Sequence, residues 1–201
     1  MSLMRSTPRR GVRAGRVAAC MTVLLLAGCG SGGSDSPAAG TDWRNTAYPL
    51  TCDGAAPGGF RARVVDGEAS VPADAARPPY YDSYEVAVVS TADGDVDGDG
   101  RDDTVVLLTC SPQPSNGILQ EVLAFSAHGR RLGSLPSPRT LQGDAPLPPE
   151  YVPDGLTVEG GDVVARMTAY APDDSHADGP SIPITVRWRY VDGDFERISP
   201  T

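Results

Sequence analysis

Lysine is absent from this 201-residue chain, and histidine occurs only twice, at His128 and His176. Without lysine there is no phosphate-loop lysine, no Schiff-base amine and no serine–lysine pair. The sequence also lacks a Gly-x-Ser-x-Gly elbow, a His-Glu-x-x-His motif and paired cysteines at metal-binding spacing. Enzyme classes defined by these motifs are therefore excluded.

Long apolar runs are also missing, and the N-terminal run from Val17 to Leu26 has only 10 residues, too few to span a bilayer. Residues 1–28 contain five arginines and no acid, and the arginines precede the apolar run. A basic region followed by a short apolar region is typical of a secretory signal. The run ends in Leu-Ala-Gly followed by Cys29, which resembles the lipobox of bacterial lipoproteins. The resemblance implies that Cys29 is diacylated, and two acyl chains are sufficient for durable membrane attachment.

This resemblance divides the chain into three segments. Residues 1–28 are the expected signal peptide, residues 29–42 the lipidated cysteine with a flexible Gly/Ser linker, and residues 43–201 an extracytoplasmic domain. The expected location is the outer face of the cell membrane. Arg9-Arg10 leaves the twin-arginine route open beside general secretion, although the flanking residues fit that motif poorly.

Positive charge is scarce in the mature segment. Removal of residues 1–28 takes away five of the 17 arginines and none of the 26 acids, which leaves a formal net charge of −14. A surface this acidic repels nucleic acid and anionic lipid headgroups. The expected partners are therefore the membrane through the lipid anchor, and an envelope protein or glycan.

Cysteine is also rare, with four residues in the whole chain. Cys20 lies in the signal segment and Cys29 at the lipidation site, so Cys52 and Cys110 remain. Two cysteines in an exported domain most simply form one disulfide. The alternative is a free nucleophilic thiol, but the position of Cys110 at the end of an apolar run favours packing over reactivity.

Aspartate is abundant in one stretch, DGDVDGDGRDDTVVLLTC, residues 93–110. Alternate residues of a tight loop direct oxygen ligands at one centre, as hard cations such as calcium require. The candidate ligands are the side chains of Asp95, Asp97, Asp99 and Asp103 and the backbone carbonyl of Arg101. An EF-hand needs a glutamate at the twelfth loop position, where this chain has Val106.

This pattern resembles the calcium loops of FG-GAP and VCBS-type repeats from Gly94 to Leu108. The resemblance implies the same five ligands. It departs from those repeat proteins in copy number, because the motif occurs once here and a propeller needs several blades. The alternative is an Asp-Gly-rich hairpin turn whose carboxylates are solvated.

The rest of the chain predicts a mainly β fold, a single antiparallel sandwich or rolled sheet. Apolar and polar residues alternate in several short runs, and no segment has a sustained helical period. Residues 104–110 are apolar without alternation, which indicates a central strand covered on both faces. Residues 136–153 contain six prolines and predict an extended loop.

Two further features are candidates for function. The polar segment 173–178, with His176 among three aspartates, supports an alternative in which the protein is an envelope hydrolase or metal-assisted enzyme. Tyr80-Tyr81 follows two prolines and is the aromatic pair expected at the surface. The preferred hypothesis is a non-catalytic lipoprotein with structural calcium.

Overall fold

The computed structural model describes residues 40–74, 76, 78 and 80–198, which form antiparallel strands joined by turns. The strands are β1 (Ala47–Leu50), β2 (Phe60–Arg63), β3 (Glu68–Pro72), β4 (Ser83–Gly94), β5 (Asp103–Gln113), β6 (Leu119–Phe125), β7 (Arg131–Ser134), β8 (Glu150–Glu159), β9 (Asp162–Ala169), β10 (Ile182–Val191) and β11 (Asp194–Ile198). Two 3-10 turns, Trp43–Asn45 and Pro138–Leu141, are the helical segments of these residues, and neither has the length to cross a bilayer.

The strands form two large antiparallel sheets and one separate hairpin. One sheet has the order β3-β4-β5-β6-β7, the other has the order β11-β10-β9-β8, and β1 pairs with β2 alone. Neighbours in each large sheet are consecutive in sequence, so both sheets are meanders. Gly160 and Gly161 form one of the tight turns with φ values of 60° and 84°, which favour glycine. The prediction of a mainly β, antiparallel sandwich is confirmed.

The first core lies between the two large sheets. Val105 and Leu107 of β5 are fully buried there, together with Met167 and Trp188 of the opposite sheet. Burial of large apolar side chains of this kind contributes about 1.5–3 kcal/mol each. This core joins the two sheets into one domain.

The second core lies on the other face of the five-stranded sheet. Val106 and Leu108 point to that face and pack with Tyr48 and Leu50 of the β1–β2 hairpin. All four side chains are at most 1% exposed. Strand β5 is therefore buried on both faces, which explains its unbroken apolar sequence.

The disulfide predicted between Cys52 and Cys110 is present, with a Cα–Cα distance of 5.5 Å. It ties the end of the β1–β2 hairpin region to β5, and both cysteines are at most 1% exposed. The predicted lipidation site, Cys29, the signal peptide and most of the linker lie outside the described residues.

Some local predictions differ from the structure. The segment from residue 136 to residue 153 is not wholly a loop, because it contains the 3-10 turn Pro138–Leu141 and the start of β8 at Glu150. Pro153 is tolerated in β8 because the register with β9 shifts between Tyr151 and Leu156. Strands β1 and β3 were not predicted.

Candidate functional site

The acidic loop, residues 95–102, connects β4 to β5 at the end of the longest hairpin in the described chain. Asp95, Asp97 and Asp99 converge there. Each offers one carboxylate oxygen, and these oxygens lie within 4.8 Å of one another. The alternate spacing in the sequence therefore places three of the predicted ligands in one cluster.

Backbone amides inside the loop hold these three carboxylates. Asp95 accepts from the N–H groups of Gly98 at 2.8 Å and Gly100 at 3.1 Å. Asp97 Oδ1 accepts from the N–H of Asp99 at 3.2 Å, and Asp99 Oδ1 accepts from the N–H of Arg101 at 2.9 Å. Such side-chain turns are the ordinary role of aspartate in tight loops. These hydrogen bonds fix the orientation of the carboxylates without a bound ion.

Asp103 does not join the cluster. It is fully buried as the first residue of β5. Its Oδ2 accepts from the N–H groups of Val96 at 2.9 Å and Asp97 at 3.0 Å, and its Oδ1 accepts from that of Ala127 at 2.9 Å. Burial raises the pKa of Asp103, while these three amide donors oppose the rise. The side chain braces the acidic loop against the β6–β7 turn.

Two guanidinium groups lie beside the cluster, that of Arg130 from the β6–β7 turn and that of Arg101 from the acidic loop itself. The Arg130 guanidinium Nη2 is 3.6 Å from Asp97 Oδ2. The Arg101 guanidinium contacts the Nε2 atom of His128 in the same turn. These neighbours offset part of the negative charge of the cluster. The assignment of the Arg101 carbonyl as a ligand stays a prediction.

The donor set of the cluster fits a hard divalent cation. It consists of carboxylate oxygens alone, with no imidazole or thiolate, which suits calcium or magnesium better than zinc. Calcium needs six to eight oxygens, so backbone carbonyls and water must add to the three carboxylates. Asp99 is exposed and Asp95 and Asp97 are half-buried, so solvent can supply such ligands.

The polar segment 173–178 lies in the connection between β9 and β10. Asp174 Oδ2 accepts from the N–H of Ala171 at 2.7 Å and from the N–H and hydroxyl of Ser181 at 3.0 and 2.8 Å. These hydrogen bonds lower the pKa of Asp174. His176 is exposed and makes no hydrogen bond to the described residues. The contacts of Asp174 are those of a loop-closing residue.

The two members of the predicted aromatic pair differ in exposure. Tyr80 is 70% exposed, as expected. Tyr81 is half-buried and packs edge-to-face on Tyr84, with ring centroids 5.9 Å apart. Tyr80 is thus the more accessible member of the pair.

Sequence reasoning missed a cleft on the domain surface, here called the Asp53 cleft, whose lining is partly polar and partly apolar. It has a volume of about 420 Å³. Its polar lining includes Asp53, Gln120, Glu121, Arg139 and Tyr151, and its apolar lining includes Leu135, Pro136 and Pro138. These residues come from segments far apart in the chain, so no local pattern indicates them. The nearest signal is Asp53-Gly54 directly after a disulfide cysteine.

No protein-family model, curated protein or solved structure matches this chain. The resemblance to FG-GAP and VCBS calcium loops is one of local motif, over residues 94–108. What the acidic loop can bind is decided by its oxygen atoms and their charged neighbours.

Proposed function

We propose that this chain is a lipid-anchored extracytoplasmic protein without catalytic activity. Its β-domain binds calcium structurally at the acidic loop and binds an envelope protein or glycan. The lipobox ending at Cys29 and the Gly/Ser-rich linker after it support the anchor. The Cys52–Cys110 disulfide supports an oxidising compartment outside the cytoplasm.

The observation that carries the calcium part is the convergence of Asp95, Asp97 and Asp99, with oxygens within 4.8 Å. Three like charges this close repel one another, and a bound cation removes the repulsion. Arg130 contacts only one of the three, and its side chain is 66% exposed. A calcium ion therefore stabilises the end of the β4–β5 hairpin. Its affinity is on the order of 0.1–1 mM, as in extracellular modules.

Calcium is expected to raise the melting temperature of the purified full-length chain in detergent. At about tenfold excess over Kd the stabilisation is about 1.4 kcal/mol, which corresponds to about 3–6 °C. The measurement compares thermal unfolding by circular dichroism with calcium and with a chelator. Equal melting temperatures in the two conditions contradict the calcium site.

Two variants of the same loop sharpen this test. Asp99→Asn keeps an oxygen for the Arg101 amide but removes one ligand charge, so the calcium-dependent shift should fall below half. Asp102→Asn is the matched control, because Asp102 is exposed and lies outside the cluster. It should keep the full shift. If the Asp99→Asn variant keeps the full calcium-dependent shift in melting temperature, the ion binds at another site.

The anchor is tested by a change at the lipobox. Cys29→Ala removes the only thiol there that can carry acyl chains, so the protein should move from the membrane fraction to the soluble fraction or the medium. Cell fractionation followed by immunoblotting measures the distribution. Retention of the variant on membranes refutes the lipid anchor.

A further inference from the structure

Asp53 lines the Asp53 cleft with a nearly buried carboxylate. Its side chain is 9% exposed, and its Oδ2 accepts from Arg139 Nε at 3.0 Å. Cys52 and Asp53 both have left-handed backbones, with φ values of 53° and 48°, and the disulfide at Cys52 fixes this turn. The carboxylate is therefore held in one position by covalent and ionic constraints.

Several polar atoms of the Asp53–Arg139 ion pair make no hydrogen bond within the described part of the protein. Among the described residues, Asp53 Oδ1 and the two terminal nitrogens of Arg139 have no hydrogen-bond partner. The Arg139 side chain is 55% exposed. Two further depressions adjoin the cleft, and both are lined by the same Asp53 and Arg139. The pair thus offers one acceptor and two donors to a bound molecule.

Tyr151 adds a second, independent polar group. The residue lines the cleft and is 4% exposed, yet its hydroxyl has no hydrogen-bond partner among the described residues. Burial raises the pKa of Tyr151, and the nearby Asp53 carboxylate raises it further, so the hydroxyl stays protonated and can donate. Its hydroxyl is not among the fully buried atoms, so it reaches the space of the cleft and can donate to a molecule bound there.

Charge limits the kinds of ligand that fit. Asp53 and Glu121 contribute two negative charges and Arg139 one positive charge, so the cleft repels anions. A simple ammonium ion fits poorly, because Arg139 and Tyr151 are donors that need acceptors. A neutral hydroxyl group both donates and accepts, and it matches carboxylate, guanidinium and phenol together.

The walls of the cleft favour a ring with apolar faces over a peptide strand. Pro136 and Pro138 have no N–H groups to pair with a peptide backbone. The main chain of Tyr151 is already engaged, since its N–H donates to Gln120 Oε1 at 2.7 Å and its carbonyl accepts from Gln120 Nε2 at 3.3 Å. Strand addition is thus unavailable here, while Leu135 and the prolines provide apolar surface.

We propose that the Asp53 cleft binds a neutral sugar ring, with Asp53, Arg139 and Tyr151 bonding its hydroxyls and the proline-lined wall packing on its C–H face. This deepens the proposed function and depends on it for the location, since an extracytoplasmic domain meets envelope glycans. The geometry of the cleft itself is independent of both calcium and the lipid anchor.

The test uses the full-length chain in detergent and saturation-transfer NMR with D-glucose, D-mannose, D-galactose and N-acetylglucosamine. At least one sugar should bind in the millimolar range. Tyr151→Phe removes only the unpartnered hydroxyl and should weaken binding about fivefold. Tyr190→Phe makes the same change away from the cleft and should leave affinity unchanged. The melting temperature of Tyr151→Phe should not fall, because no internal hydrogen bond is lost.

Three outcomes overturn the proposal. These are no binding by any of the four sugars, equal affinity of wild type and Tyr151→Phe, and binding of a trialanine peptide that Tyr151→Phe weakens. The last outcome makes the cleft a peptide site. None of them alters the calcium-dependent melting or the membrane fractionation, so failure here is distinguishable from failure of the proposed function.

Discussion

At the scale of single residues, Asp103 shows how burial changes the role of a carboxylate. Asp95, Asp97 and Asp99 lie in the loop and orient their oxygens together. Asp103 begins β5 and is directed into the protein, where both oxygens accept backbone N–H groups. The bonds from Val96 and Asp97 cross the base of the loop. Asp103 therefore determines where the loop lies.

Replacement of Asp103 by alanine should destabilise the chain by about 3 kcal/mol, because three backbone amides lose their acceptor at a fully buried position. The loss should appear in calcium and in chelator alike. Urea unfolding of the full-length chain measures it. Asp102→Ala, at the exposed neighbouring position, is the control and should change stability by less than about 0.5 kcal/mol. An Asp103→Ala loss seen only in calcium identifies Asp103 as a ligand.

The sequence predicted four aspartate ligands, of which Asp95, Asp97 and Asp99 lie together in the structure and Asp103 does not. Spacing alone determines which side chains of a tight loop face one centre. It does not report that the chain has entered a strand by Asp103, where the side chain faces the interior. Nor does it report that Ala127, 24 residues later, brings a third donor to this carboxylate.

At the scale of elements, a long unbroken apolar run was the most reliable signal in the sequence. The apolar run at residues 104–110 identifies strand β5 correctly. Strands β1 and β3 have only 4 and 5 residues, and each contains a proline. Tertiary contacts stabilise these strands, since β1 packs on the five-stranded sheet and β3 pairs with β4 at its edge.

The β9–β10 connection, residues 170–181, should become less stable in acid, because the Asp174 carboxylate accepts the hydrogen bonds that close it. The pKa of Asp174 is lowered by its bonds to Ala171 and Ser181. Its contribution is therefore complete above the ordinary value of 3.8 and is lost as pH falls through the lower folded-state pKa.

Melting temperature against pH measures this effect. Asp174→Asn should be less stable than wild type at neutral pH and should lack this part of the acid transition. Asp173→Asn, at the exposed neighbour, should follow the wild-type curve. If the Asp174→Asn curve coincides with the wild-type curve at every pH, the hydrogen bonds of Asp174 do not stabilise the connection.

At the scale of the whole molecule, the Asp53 cleft could not be predicted from the sequence. Its lining comes from the turn after β1, from β6, from the proline-rich segment and from β8. No spacing relates Asp53 to Arg139, which lies 86 residues away and meets it only in the folded chain. The disulfide was predictable because two cysteines, Cys52 and Cys110, remain once Cys20 is assigned to the expected signal peptide and Cys29 to the expected lipidation site.

The Cys52–Cys110 bridge should contribute about 4 kcal/mol, since it closes a 58-residue loop in the unfolded chain. The double variant Cys52→Ala/Cys110→Ala should therefore unfold at a lower urea concentration than wild type. Both cysteines are at most 1% exposed, so a mild reductant should leave the folded wild type oxidised. A double variant with an unchanged urea midpoint contradicts a stabilising bridge.

Under the proposed lipid anchor, the same bridge has a mechanical consequence. In a domain anchored as proposed, a force directed away from the bilayer produces tension that enters ahead of β1 and reaches Cys52. From there the covalent link carries it straight to β5, the strand buried on both faces. The loop that the bridge closes, with a sequence separation of 58, cannot extend while the bridge is intact, so about 200 Å of contour length is unavailable to the stretched chain.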